Sequence, residues 1–294
     1  MYDERFPLLG GRRVPLWSLI LEIFLILGLL TAVIFGAPDA KAEPFSITWE
    51  NDYPVPRGLD HNYTNGFKFK YGDWALSNEM YSPLNKKNPE PPYGDRPWAG
   101  YTYLEHEDID SVNFAEEIIL KSRFGFVGEA SGTEALQKFV HDDLGAGAHP
   151  TWAGQNPSEA TLDFVYSKRT RDYVKSLVGD SQVKQEYGVE FGNVKDLIFL
   201  DQELRKHFFS YFYPFVGLRG EAILYNTHLD GRLLQDNDYT IDKNWFVAKA
   251  RFGFEFYFPE SDYFFDYHYE YSTEEFTGQV GRHSYGSLTF GRKF

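Results

Sequence analysis

From residue 44 onward the chain alternates. In WFVAKARFGFEFYF, residues Phe246, Ala248, Ala250, Phe252, Phe254, Phe256 and Phe258 fall on one face of an extended segment, and Lys249, Arg251, Gly253 and Glu255 on the other. In DYFFDYHYEY, residues Tyr263, Phe265, Tyr267, Tyr269 and Tyr271 oppose Asp262, Asp266, His268 and Glu270. NGFKFKYG sets Phe67, Phe69 and Tyr71 against Lys68 and Lys70. Val216, Leu218, Ala222 and Leu224 likewise stand opposite Arg219 and Glu221. A period of two is the mark of strand. These strands run to about ten residues or more, where those of globular sheets run about five or six. Their apolar faces are heavily aromatic, and the opposite faces carry charges of both signs. A soluble sandwich also alternates, but lipid outside and a polar interior account for both features, which predicts an all-β fold, a transmembrane antiparallel barrel. About twelve strands fit, at roughly 21 residues for each strand with its connection.

The N-terminal 42 residues read differently. Arg12 and Arg13 precede an apolar run from Leu16 to Phe35, then APDAKA. Charge, apolar stretch and the small-x-small triplet Ala40-Lys41-Ala42 occur in the order a secretory signal peptide requires, so cleavage is expected after Ala42. The run is also long enough to span a bilayer, which makes a retained anchor the rival reading. Residues 43–294 are then one barrel domain, with long polar loops around 81–97, 129–160 and 226–244 facing outward. The last strand, SYGSLTFGRKF, keeps Leu288, Phe290 and Phe294 on one face, interrupted by Arg292. Composition narrows the chemistry. There is no cysteine, so disulfides, thiolate zinc sites, lipoprotein anchoring and cysteine nucleophiles are excluded. A net charge of −14 argues against a nucleic-acid partner.

One stretch breaks the alternation. TEALQKFVHDDL, 133–144, predicts a short helix over about 132–144, with Gln137 and His141 on one face because residues four apart stack there. Leu136 and Phe139 are placed to pack that helix down, with Glu134, Lys138 and Asp142 left wet. Three further clusters stand out from the strand pattern: ENDYPVPRGLDHNYTNG at 50–66, DRPWAGY at 95–101 and TWAGQNPSE at 151–159. Taken singly, each has a plain structural reading. Asn51-Asp52 is a common turn pair, Thr64-Asn65-Gly66 reads equally as turn chemistry, Arg96 as a structural ion-pair partner, and His141 as a packed or surface histidine. The other histidines, among them His61, His228 and His283, show no constellation in the sequence.

In order, however, Asn51-Asp52, Asp60-x-x-Tyr63-Thr64-Asn65-Gly66, Asp95-Arg96-Pro97-Trp98-Ala99-Gly100, Gln137-x-x-x-His141 and Trp152-x-x-Gln155-x-x-x-Glu159 resemble the outer-membrane lipid A 3′-O-deacylase family. Trp98 and Tyr101 exchange the family's aromatics. The resemblance implies a twelve-stranded barrel whose site lies between the wall and a short helix of an extracellular loop. It implies calcium-dependent ester hydrolysis of lipid A in the bacterial outer membrane. His141 would be the general base, and Asn51 and Asp52 the hard oxygen ligands of calcium. Gln137, Thr64 and Arg96 would orient, hydrogen-bond and contact the anionic lipid head. Lys86, Lys87, Arg96, Lys138, Lys168, Arg169 and Arg171 are expected to supply positive charge in or near the loops. An outer-membrane phospholipase, a passive pore and an interaction barrel are the alternatives; the sequence shows no Gly-x-Ser-x-Gly.

Overall fold

The computed structural model describes residues 44–52, 61–87, 94–143, 150–175, 180–233 and 239–293. The expected leader, 1–42, and the motif residue Asp60 lie outside them. The chain divides into two compact units, one of Glu43–Thr133 with Trp152–Phe294, the other of Glu134–Thr151 with Met1–Ala42.

The first unit is the barrel. Twelve strands, β1 (Phe45–Asn51), β2 (Asn62–Tyr71), β3 (Trp74–Ser82), β4 (Ala99–Asn113), β5 (Glu116–Val127), β6 (Glu159–Val174), β7 (Ser181–Gly192), β8 (Lys195–Lys206), β9 (Phe212–Asn226), β10 (Phe246–Tyr257), β11 (Tyr263–Ser272) and β12 (His283–Arg292), follow one another in chain order. Each pairs antiparallel with its neighbours, and β12 closes the barrel on β1, from Phe45 opposite Arg292 to Asn51 opposite Gly286. Closure removes every sheet edge, a necessity where hydrocarbon offers backbone amides no partner. Among the described residues no helix is long and apolar enough to cross a membrane. The strands cross instead.

The alternation turns out as read. Val216, Leu218, Phe246 and Phe252 point outward and are among the most exposed apolar side chains, while Glu105, Glu107, Asp201, Glu203, Glu221 and Glu255 are buried inside. Ion pairs between strands satisfy the interior charges. Arg123 bridges Glu105 at 2.7 Å and Glu190 at 2.8 Å, Arg251 holds Asp201 through two 2.7 Å hydrogen bonds, and Arg205 reaches Glu255 at 3.1 Å. Turns at one end are short, such as residues 72–73 and 114–115; the loops around 81–97, 129–160 and 226–244 all leave from the opposite end. Long loops mark the extracellular end of such barrels. Lys168, Arg169 and Arg171 do not serve those loops. They lie toward the short-turn end of β6, bound to Glu116, Glu117 and Glu186, because β6 runs away from the loops from Glu159 onward.

The helix expected over 132–144 comes in two parts. An α-helix, α1 (Thr133–Lys138), gives way to a π-helical turn over Phe139–Asp143. Phe139 and Val140 are weaker helix formers than the Ala-Leu-Gln-Lys run before them, and the helix widens where they begin. Its faces are also reversed. Gln137 is buried, whereas Leu136 and Phe139 are 48% and 52% exposed. Leu136 and Phe139 therefore do not pack the helix down as expected.

Candidate functional site

The site residues of the barrel gather at the long-loop end. Asn51 ends β1 directly opposite Asn65 of β2, and the Asp52 amide donates to the Thr64 carbonyl at 3.4 Å. The Thr64 hydroxyl shares a 2.5 Å hydrogen bond with Ser82 at the end of β3. Asp52, Thr64 and Ser82 are all buried. The Tyr63-Thr64-Asn65-Gly66 signature is no turn. It runs within β2, with Gly66 opposite Glu50. Gly66 is required for another reason, since a Cβ there would stand 1.9 Å from the Tyr63 hydroxyl oxygen and 2.9 Å from a Glu50 carboxylate oxygen. Without a side chain at 66, Tyr63 lies across the strand and donates its hydroxyl to Glu50.

The second signature builds the floor beside it. Arg96 is fully buried, donates from Nη1 to Glu275 at 2.9 Å, and holds its guanidinium 4.5 Å from the centre of the Tyr81 ring. Trp98 stacks on Trp152 with centroids 4.7 Å apart, and Met80 completes that cluster. Gly100 lets the chain ahead of α1 lie against β4, because a Cβ there would come within 2.5 Å of the Ser131 hydroxyl and of Thr133. The loops are laced together over this floor: Asn156 takes the Trp98 carbonyl through its backbone and the Thr227 carbonyl through its side chain, and Tyr239 bonds the Asp95 carbonyl.

Sequence reasoning missed several members of this corner. Glu275 lies in the β11–β12 connection. Burial alone would raise its carboxyl, but Arg96 first, then Lys249 and His283, hold it below the usual carboxylate range. His228 is on α2 (Thr227–Asp230), fully buried, with its ring 4.6 Å from Tyr81. Neither ring nitrogen hydrogen-bonds to a described residue. Burial, reinforced by Lys195 and Arg96, drives its pKa well below an ordinary histidine's, so it is neutral. His61, also buried and bonded to the Val280 carbonyl at 3.1 Å, is lowered by the same desolvation. Only their burial beside Arg96 and Tyr81 distinguishes these residues, and burial at that range is written nowhere locally in the sequence.

The structure thus brings Asn51, Asp52 and Thr64 into one contact group, with Arg96 beside Tyr81 next to it. Gln137 and His141 belong to the other unit, Gln137 on α1 and His141, half-buried, in the π turn. Among the described residues, no group of three or more His, Cys, Asp or Glu side chains is placed to hold a metal ion. The donors at the end of β1 nevertheless fit calcium chemically. Asn51 and Asp52 offer an amide carbonyl and a carboxylate, and calcium completes its six to eight positions with backbone carbonyls and water as readily as with further carboxylates.

Comparison with known proteins agrees with the barrel fold. The family model described as "Outer membrane protein LpxR" matches residues 70–206 and 201–294. Among solved structures, LpxR from Salmonella typhimurium superposes with a TM-score of 0.72 at 19% identity, covering 85% of this chain and 100% of that one. The β domain of the Bordetella autotransporter BrkA follows at a TM-score of 0.45 and 8% identity, over 87% of this chain and 100% of that one. A comparison with curated protein sequences gives no match. The family model spans most of the barrel and the fold is that of LpxR: the chain belongs to the LpxR family of bacterial outer-membrane proteins.

Proposed function

We propose that this barrel is a lipid A 3′-O-deacylase, a carboxylic ester hydrolase that removes the acyloxyacyl group ester-linked at the 3′ position. The observation that carries the reading is the polar corner of Asn51, Asp52 and Thr64, the last two buried, built from the same motifs that mark the family resemblance, in a chain that belongs to the LpxR family.

His141 takes the proton of the attacking water as general base, the role that histidine most often fills in proton transfer. The water oxygen adds to the ester carbonyl, the ester C–O bond then breaks, and the sugar hydroxyl recovers the proton from the imidazolium. The free acyloxyacyl acid departs. Asn51 and Asp52 would hold calcium, which would supply positive charge to offset the charge developing on the carbonyl oxygen. Gln137 and Thr64 orient and hydrogen-bond the reacting groups. Arg96, locked to Glu275, acts through the floor it stiffens and through its positive field on the anionic head. The substrate is met laterally, in the outer leaflet of the outer membrane.

Mass spectrometry of lipid A incubated with the refolded protein in detergent tests this, first with calcium and then with EDTA. The expected result is loss of the 3′-linked acyloxyacyl mass with calcium alone, abolished in His141→Ala. Unchanged lipid A with a heat-modifiable, folded barrel sinks the proposal, as does a His141→Ala protein that deacylates at the normal rate.

A further inference from the structure

The geometry points to a lipid-docking groove on the outer wall of the barrel, which seats one acyl chain of a phosphate-bearing glycolipid of the outer leaflet. The groove, about 860 Å³, runs over β8, β9 and β10, within the range of cavities that take small molecules. The register makes it. Two neighbouring rungs of outward-facing residues cross these strands: Ile198–Ala222–Phe246 and Leu200–Gly220–Ala248. Gly220, Ala222 and Ala248 therefore form a floor with almost no side chain, between Ile198 and Leu200 on one side and Phe246 above. A Cβ placed on Gly220 would meet nothing within 4 Å. Elsewhere this wall carries Leu, Phe and Tyr, and small residues in lipid are where another chain approaches the backbone closely.

The upper end of the groove names the occupant. Arg282, exposed in the β11–β12 connection, lines it together with Asn244 and Thr273. Its guanidinium is held by a 2.7 Å hydrogen bond to the Tyr271 hydroxyl and lies 5.7 Å from that ring's centre. Trp245, 58% exposed, precedes Phe246 at the same height, as an aromatic residue at the membrane–water boundary does. A fixed cation at the extracellular boundary, above an apolar trough, matches a phosphorylated head joined to acyl chains. Glu274, also on the rim, requires that the phosphate sit on the Arg282 side. The groove is remote in sequence from every proposed catalytic residue, and the inference does not rest on the deacylase reading.

The test is photo-crosslinking. The intact barrel, in micelles with EDTA so that no calcium-dependent turnover intervenes, is irradiated with a bisphosphorylated glucosamine glycolipid bearing a photoreactive acyl chain. Adducts are then mapped by peptide mass spectrometry. Expected is at least fivefold more labelling on the β8–β10 groove than on the opposite outer wall around Leu104, Phe124 and Leu162. Gly220→Leu fills the trough from outside and is expected to remove that excess. Arg282→Gln is expected to abolish the preference over a dephosphorylated competitor while the fold, read by heat-modifiable migration, is kept. Equal labelling around the wall, or full labelling in Gly220→Leu, overturns the proposal. So does a wild-type dimer that Gly220→Leu converts to monomer without changing lipid labelling, since the groove is then an interface between copies.

Discussion

Cutting the Arg96–Glu275 pair is the sharpest test of how the loop end is held. Arg96 exposes none of its side chain and Glu275 19% of its own, at an Nη1–Oε2 distance of 2.9 Å. In Glu275→Ala the guanidinium keeps its charge but loses this acceptor, and its Nε and Nη2 already make no hydrogen bond to a described residue. Breaking a buried pair from one side costs about 3–5 kcal/mol, because an uncompensated charge is left behind. The stacking of Arg96 over Tyr81 at 4.5 Å survives and offsets roughly 1–2 kcal/mol of that at most. A net loss of about 1–4 kcal/mol is expected, against about 0–1 for an exposed pair. Arg96→Met with Glu275→Leu removes both charges and is expected to recover most of the loss. The assay is guanidinium unfolding in lipid vesicles, followed by tryptophan emission, since Trp98 and Trp152 stack within the same floor. A Glu275→Ala protein less than about 1 kcal/mol below wild type refutes the reasoning, for it would mean that water reaches Arg96.

Three further outcomes follow from the same geometry. His228 is held neutral in the fold, so below its ordinary value of 6.5 the unfolded chain takes up a proton that the folded one refuses. This group should cost up to about 1.4 kcal/mol per pH unit below that point, and His228→Phe should remove that share of the difference between pH 7.5 and 5.5, leaving the share of His61 and His283, which are lowered likewise; parallel curves for the two proteins contradict it. Glu275, whose carboxyl is lowered, adds its loss only below its ordinary 4.5, outside that window. Gly66→Ala drives a methyl into the Tyr63 hydroxyl and should cost about 1–3 kcal/mol in the same unfolding assay, with no change expected if Tyr63 swings away freely. In planar bilayers the barrel should carry no steady open-channel current, because its interior is crossed by ion pairs and its loops are tied by Asn156, Tyr239 and Arg96; porin-sized conductance steps would refute that.

Much of the barrel was legible because lipid enforces a strict rule. Every second residue of a strand meets hydrocarbon, so Leu218, Phe246 and Phe252 declare their face without any tertiary information. The corner's backbone was legible through Asn51, Thr64 and Gly66, which lie within sixteen residues of one another on paired strands. Its supports were not. Arg96 and Glu275 are 179 positions apart, and His228 meets Tyr81 only after six further strands have been laid down. No local pattern encodes a partner at that separation. The helix faces were misread as well: the helical period assigns Leu136 and Phe139 to a packed apolar stripe, yet both side chains are exposed and Gln137 is the buried one.

The interior charges have a task that net stability does not explain, since buried pairs return little over apolar substitutes. An outward row of Phe, Leu and Val fixes which face of a strand meets lipid, but lipid is indifferent to a slip of two residues, which keeps the same face outside. The interior pairs are not indifferent. Arg251 reaches both oxygens of Asp201 from β10 to β8, skipping β9, and Arg123 joins Glu105 of β4 to Glu190 of β7. A slip of two moves one partner by about 7 Å and breaks such bridges at a buried cost. Register is thus written on the polar face and phase on the apolar one. The corner depends on both: Asn51 stands opposite Asn65, and Thr64 beside Ser82, only in the register in which Glu50 meets the Tyr63 hydroxyl and Thr48 meets Thr289 across the closing seam.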